Sequence, residues 1–272
     1  MSERADRRHR RRVRPGTVLL WIVAIGGLIY LFVPLVTIAV FTFNDPTGKF
    51  NTSWEGFTFD NWLHPFSQQA FTDALWESIK VAAVACTLAT ILGSLIAVAL
   101  ARYRIRGSAA INLLIVIPLT TPEIVMGSSL ALLFINRGVE RGFWTIVIAH
   151  VMFCVSFVAI TVKARARGLD WTLEDAAMDL GAGPWRTFSR VTLPLIMPGV
   201  VAAALLSFSL SIDDFIITFF VSGEGDTTFP KYVYGAFQRE LAPQVNVLST
   251  GLLLVSVAAL GLSVAQQRRR QG

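Results

Sequence analysis

From Pro15 to Asn44 the chain runs for thirty residues without a charged side chain, directly after the basic stretch Arg4 to Arg14. About 20 apolar residues in a helix are enough to cross the hydrocarbon of a bilayer, and this run exceeds that length. A signal peptide has the same order of charged and apolar residues, but its apolar core is only about 7–15 residues and ends at a small-residue cleavage site. The run therefore predicts a retained membrane helix over about residues 17–41, bent at Pro34. In lipid a spanning backbone must satisfy its own hydrogen bonds, so one such helix commits the chain to helices or a closed barrel.

Five further apolar stretches follow, at about 81–101, 109–135, 143–162, 196–221 and 245–265. Together they predict an all-α polytopic membrane protein with six transmembrane helices over residues 17–265, between a basic arm at 1–16 and a basic tail at 266–272. With 54% hydrophobic and 15% charged residues, the chain is too apolar for a soluble globular domain. A net charge of +6 could point to nucleic acid, but the basic residues cluster beside the apolar stretches, where lipid headgroups and topology account for them. Eighteen of the 24 lysines and arginines lie in the arm, the 102–106 turn, the 163–195 loop and the tail. The positive-inside rule places that set, with both termini, in the cytoplasm, and the chain in the plasma (inner) membrane. Cys86 and Cys154 lie inside apolar stretches without metal-ligand spacing and read as small hydrophobes. Residues 44–77 form a polar, aromatic loop on the opposite side, rich in Trp54, Phe57, Phe59, Trp62 and Phe66.

The one long polar segment on the basic side is 163–195. Thr172 and Asp175 have capping-box spacing, and Leu173, Ala176, Ala177 and Leu180 give a short helix one small apolar face. Gly181, Gly183 and Pro184 stop it, and a second short helix carries Trp185, Phe188 and Val191 toward Leu193-Pro194. Glu174, Ala176, Ala177, Gly181 and the terminal Leu193-Pro194 resemble the "EAA" loop of ATP-binding-cassette (ABC) importer permeases, here reading E-D-A-A with Asp175 inserted after the Glu. The resemblance implies the type I (MetI-like) permease fold, with 173–183 as a coupling helix seated in a separate ATPase subunit. It also implies a second permease subunit, giving a heterodimer, and an extracytoplasmic solute-binding protein. The 44–77 loop is then either a packed cap over the outer end of the bundle or a docking surface for that binding protein.

Ionisable groups inside spans need a reason, because a carboxylate near a helix centre opposes insertion by about 2.5–3.5 kcal/mol. Asp213 and Asp214 sit together in the fifth span, and Glu123 follows Pro118 and Pro122 in the third, where the broken helix leaves backbone groups for protein or water to satisfy. Each of the three either lines a solute pathway or pairs with a neighbouring helix. His150 in the fourth span reads as a hydrogen-bonded interior residue. The string from Ser211 through Asp213-Asp214, Phe229-Pro230 and Pro243 to Thr250, with Phe43 to Pro46 and Trp54 to Trp62, resembles spermidine/putrescine importer permeases. That resemblance implies a polyamine as the transported solute; iron(III), phosphonate and thiamine importers have related permeases.

No GxxxxGK[ST], HExxH or GxSxG occurs, so the residues offer no catalytic constellation, no metal site and no nucleotide site of their own. ATP and Mg are expected to act in the partner ATPase. A secondary transporter would show a second broken helix matching the first, and the sequence offers no obvious one.

Overall fold

The computed structural model describes residues 15–103, 105–239, 242–251, 253–254 and 257, which divide into two bodies. Residues 1–14, Arg104, the tail and most of the sixth expected span beyond 251 lie outside the described residues. Among the described residues there is no β-strand, only an isolated antiparallel bridge between Asn44 and Phe57.

The first body comprises residues up to 67 and from 239 onward. Its long helix, α1 (Pro15–Phe41), runs unbroken through Pro34. The segment after it is organised by amide side chains. Asn44 Nδ2 donates to Asn51 Oδ1 (2.6 Å) and to the Ser53 carbonyl (2.7 Å), while Asn44 Oδ1 accepts from the Glu55 amide (2.8 Å). Asn61, in the one-turn helix α2 (Asp60–Leu63), donates to the carbonyls of Thr42 and Asn44. Phe43 stacks on Phe57 and Trp62 at centroid distances of 5.7 and 5.9 Å. The Thr47 hydroxyl and amide, with Ser53, hold the Glu55 carboxyl below its ordinary range. Residues 243–251, at the start of the sixth expected span, are helical.

The second body, residues 68–238, holds the core. Helix α3 (Gln69–Arg102) begins at Gln69, well before the expected start at 81, so the loop preceding it is shorter than 44–77. The polar residues Thr72, Asp73, Glu77 and Lys80 had disguised the first turns, which extend the helix beyond its apolar stretch. Helix α6 (Phe143–Ala166) is the central element; its buried residues, from Ile146 and Val147 to Val162 and Ala166, lie on all sides of it. A helix apolar all round is stable only when surrounded, and α6 packs on α3 and on the later helix α9 (Leu193–Asp213). The α3 face against it is a small-residue stripe, Ala85, Ala89, Gly93 and Ala97, which lets the two backbones approach. A Cβ on Gly93 would stand 2.7 Å from Val158 Cβ.

The third expected span is two helices, α4 (Ser108–Thr120) and α5 (Glu123–Asn136), meeting at 106°. The loop segment holds α7 (Thr172–Asp179), then α8 (Pro184–Thr187), a π-helical turn (Phe188–Thr192) and α9 (Leu193–Asp213). The expected second short helix is therefore not separate: Pro184–Asp213 is one continuous apolar helix, and Leu193-Pro194 lies within it instead of ending the loop. Two short helices complete the body, α10 (Ile216–Val221) and the unanticipated α11 (Phe229–Arg239). Among the described residues four helices are long and apolar enough to cross a membrane, and α4 with α5 makes a fifth, bent candidate.

Candidate functional site

Asp213 and Asp214 do not sit mid-helix. Helix α9 ends at Asp213, Asp214 is extended (φ −67°, ψ 122°), and α10 starts afresh at Ile216. The Asp214 carboxylate supplies what the interrupted backbone lacks. It accepts from the Thr218 amide (2.8 Å), the Thr218 hydroxyl (2.8 Å) and, at 3.4 Å, the Ile217 amide. From α6, His150 Nε2 lies 3.2 Å from the same carboxylate and 3.0 Å from Thr218 Oγ1, while its Nδ1 meets Ser211 Oγ at 2.7 Å. The side chains of His150 and Asp214 are 1% and 6% exposed. Burying polar groups costs several kcal/mol, of the order of 2–7, unless each finds a partner, and here each does.

Asp213 and Glu123 are different. Both are exposed, and neither is among the groups that close the His150 network. Glu123 is the first residue of α5, just past the proline break, and α5 packs on α10. That approach depends on Gly127, whose added Cβ would lie 3.0 Å from the Phe220 ring. Glu123, Asp213 and Asp214, the three carboxylates singled out in the sequence, consequently border one cavity of about 410 Å³, with Phe153, Leu210 and Phe215 as its apolar wall.

The second constellation is the turn between α6 and α9. Helix α7 does not start with a capping box. Asp170 takes both the Thr172 amide (3.0 Å) and the Thr172 hydroxyl (2.7 Å), which holds the Asp170 carboxyl below its usual range. A carboxylate two residues upstream is the better partner for those donors, and Thr172 spends its hydroxyl as a donor. Asp175 turns instead to Arg102 at the end of α3, accepting from its Nη2 at 2.7 Å. Glu174 accepts from Arg102 Nε at 2.8 Å and also from the Thr192 hydroxyl. The helix ends as expected at Gly181, whose φ of +85° favours glycine. The Gly181 amide bonds the Met178 carbonyl and the Ala182 amide the Ala177 carbonyl, the paired bonds of a Schellman stop. Ala176 is exposed and Ala177 half-buried, Gly183 caps α8, and Leu180 and Trp185 are 90% and 77% exposed.

The sequence does not single out Thr218 or Arg102, and it marks His150 as a hydrogen-bonded interior residue without its partners. His150 carried a signal, as an ionisable group within an apolar run, but its link to Asp214 did not. Thr218 and Arg102 carried none; one is a hydroxyl in an apolar segment, the other one arginine among three in a basic turn.

Comparison with known proteins fits this geometry. The chain is 37% identical over 234 residues to the spermidine/putrescine transport system permease protein PotC of Haemophilus influenzae, covering 86% of this chain and 90% of that one. It is 38% identical over 247 residues to the putrescine transport system permease protein PotI of Escherichia coli, covering 88% and 87%. Among solved structures, it superposes on a chain of a bacterial ABC transporter involved in import of the acidic polysaccharide alginate, with a TM-score of 0.66 at 16% identity over 98% of both chains. A chain of the MetNI methionine ABC transporter matches with a TM-score of 0.57 at 19% identity, over 72% of this chain and 93% of that one. These likenesses establish the MetI-like permease fold. Residues 89–270 match the family described as binding-protein-dependent transport system inner membrane component, and with the identities above the chain belongs to that family of ABC importer permeases.

Proposed function

We propose that the transported solute is a polyamine and that Glu123 and Asp213 face it. The observation that carries this reading is the cavity of about 410 Å³ with three carboxylates on its border. A linear polycation carries several ammonium groups, and acidic side chains spaced around an apolar-walled cavity suit it better than a phosphonate, whose charge they would repel. The relatives' names, which refer to spermidine and putrescine, support the same class.

In this reading α7 and its flanking residues form the coupling element. Glu174, Asp175, Ala176, Ala177, Leu180, Gly181 and Gly183 face or shape the surface presented to an ABC ATPase, while Leu193 and Pro194 carry its movement into α9. ATP and Mg act in that ATPase. A second permease subunit completes the pathway, a solute-binding protein delivers the cargo from outside, and both termini are cytoplasmic, following the asymmetry of lysine and arginine.

The test is uptake of labelled spermidine and putrescine into vesicles containing the assembled transporter, with unlabelled polyamines, thiamine and ferric iron as competitors. Polyamines are expected to compete and the others not. Replacing Glu123 and Asp213 together by Gln and Asn should lower polyamine uptake more than tenfold with the protein still present in the membrane. Uptake unaffected by the double replacement would remove these residues from the pathway.

A further inference from the structure

We infer that Arg102 is a positioning residue for energy coupling: its guanidinium clasps α7 to the end of α3, so that a displacement of α7 reaches α3 as well as α9. The inference rests on the reading of α7 as the coupling element. Arg102 is the last residue of the 34-residue α3. Its Nε donates to Glu174 at 2.8 Å and its Nη2 to Asp175 at 2.7 Å, so one planar group engages two adjacent carboxylates through two of its nitrogens. The guanidinium also lies 5.5 Å from the centre of the Trp171 ring, at the root of α7. Glu174 is shared, since the Thr192 hydroxyl on the π-helical turn leading into α9 donates to it. Three elements thus meet at one carboxylate.

The clasp matters because α7 has little else to hold it. None of its residues is buried, and its backbone packing is against α8 and the π-helical turn, on the α9 side. A force applied to α7 passes to α9 through the chain itself and through that packing. Toward α3, Arg102 supplies a direct polar connection, beside the indirect one through the packing of α3 on α9. The side chains of Arg102 and Glu174 are 23% and 14% exposed, so the bond is sheltered, whereas Asp175, at 59%, is open to water. Exposed ion pairs contribute little, and a sheltered, forked arginine contributes more. Lysine at this position carries the charge on a single nitrogen and not the fork, so it lacks the fixed planar spacing by which Nε and Nη2 hold the two carboxylates.

Arg102→Ala and Arg102→Lys should be made in the transporter assembled with its ATPase, partner permease and solute-binding protein. Three quantities are measured: crosslinking of a Leu180→Cys reporter to the ATPase, ATP hydrolysis, and spermidine uptake per ATP hydrolysed. With Arg102→Ala the crosslink is expected to persist while uptake per ATP falls more than tenfold, and Arg102→Lys should recover part of that loss. An unchanged ratio of uptake to hydrolysis in Arg102→Ala overturns the clasp. So does loss of the crosslink in Arg102→Ala alone, which would make the arginine an attachment residue and not a transmitter. Absence of the crosslink in the parent with Arg102 intact instead removes the coupling reading of α7 itself, and the clasp with it.

Discussion

Two membrane segments of this protein are broken, and they are broken by different chemistry. Between α4 and α5 the interruption is made by the backbone: Pro122 has no N–H to give, the Thr121 amide and hydroxyl both return to the Ile117 carbonyl, and the chain turns by 106°. Between α9 and α10 there is no proline. A carboxylate at Asp214 takes the place of a carbonyl for the Thr218 amide and is itself fixed by His150 from α6. The first break starts from neighbours in sequence and is backed by the packing of α5 on α10. The second is a tertiary object, since His150 and Asp214 are 64 residues apart and neither is tolerable at that depth alone. Yet the two resumed helices pack together, and the acidic side chain that each break brings in, Glu123 or Asp214, reaches the same cavity.

The sharpest way to break the comparison is to remove the carboxylate from the second break. Asp214→Ala should destabilise the protein by about 3–5 kcal/mol, the cost of leaving the partners of a buried pair unsatisfied. Asp213→Ala, one residue away and exposed, should stay within about 0.5 kcal/mol. Thermal unfolding of the two variants in one detergent measures the difference. If they melt together, Asp214 is not the structural member of the pair, and the division between a scaffolding and a solute-facing carboxylate fails.

A smaller effect is expected where the two resumed helices touch. Gly127→Leu forces side-chain atoms against Phe220 and the Ile217 backbone. Overpacking of this sort costs about 1–3 kcal/mol. Because it spreads α5 from α10 without touching a carboxylate, it should also lower the apparent affinity for spermidine while its hydrogen-bonded neighbours remain intact. A variant with unaltered stability and unaltered affinity would show that the α5–α10 contact does not shape the cavity.

The contrast also marks what could be read from sequence. Helix-making runs were legible because apolarity over twenty residues is a composition signal, and Gly181 was legible because a positive φ selects glycine. The proline break was equally local, so Glu123 could be singled out beside it. The carboxylate break was not: Asp213 and Asp214 stood out as costly, but only His150, Ser211 and Thr218 arranged around one of them decide which is buried. The same holds for α7. Its stop at Gly181 is legible in the sequence, whereas Thr172 and Asp175 have the spacing of a capping box that does not form. In the folded chain Asp170 takes the Thr172 donors and Arg102 takes Asp175. The second short helix lies where the sequence places it, over Trp185, Phe188 and Val191, and only its end at Leu193-Pro194 is overturned. Pro194 signals a stop in isolation, but in the folded chain α8 runs on into α9 through the π-helical turn that directly precedes it.

The proline break itself offers the mildest test. Pro122→Ala restores an N–H and loosens the unfolded chain, which should cost only about 0.4–1 kcal/mol. The bend should survive, because its hydrogen bonds do not run through the proline ring. The Thr121 amide already reaches the Ile117 carbonyl, the Met126 amide already donates to the Pro122 carbonyl at 3.0 Å, and α5 remains packed on α10. Spin labels on α4 and α5 report the angle directly. A distance distribution that lengthens toward a straight helix in Pro122→Ala would mean that the ring alone holds the bend, and that the packing of α5 on α10 follows the turn without enforcing it.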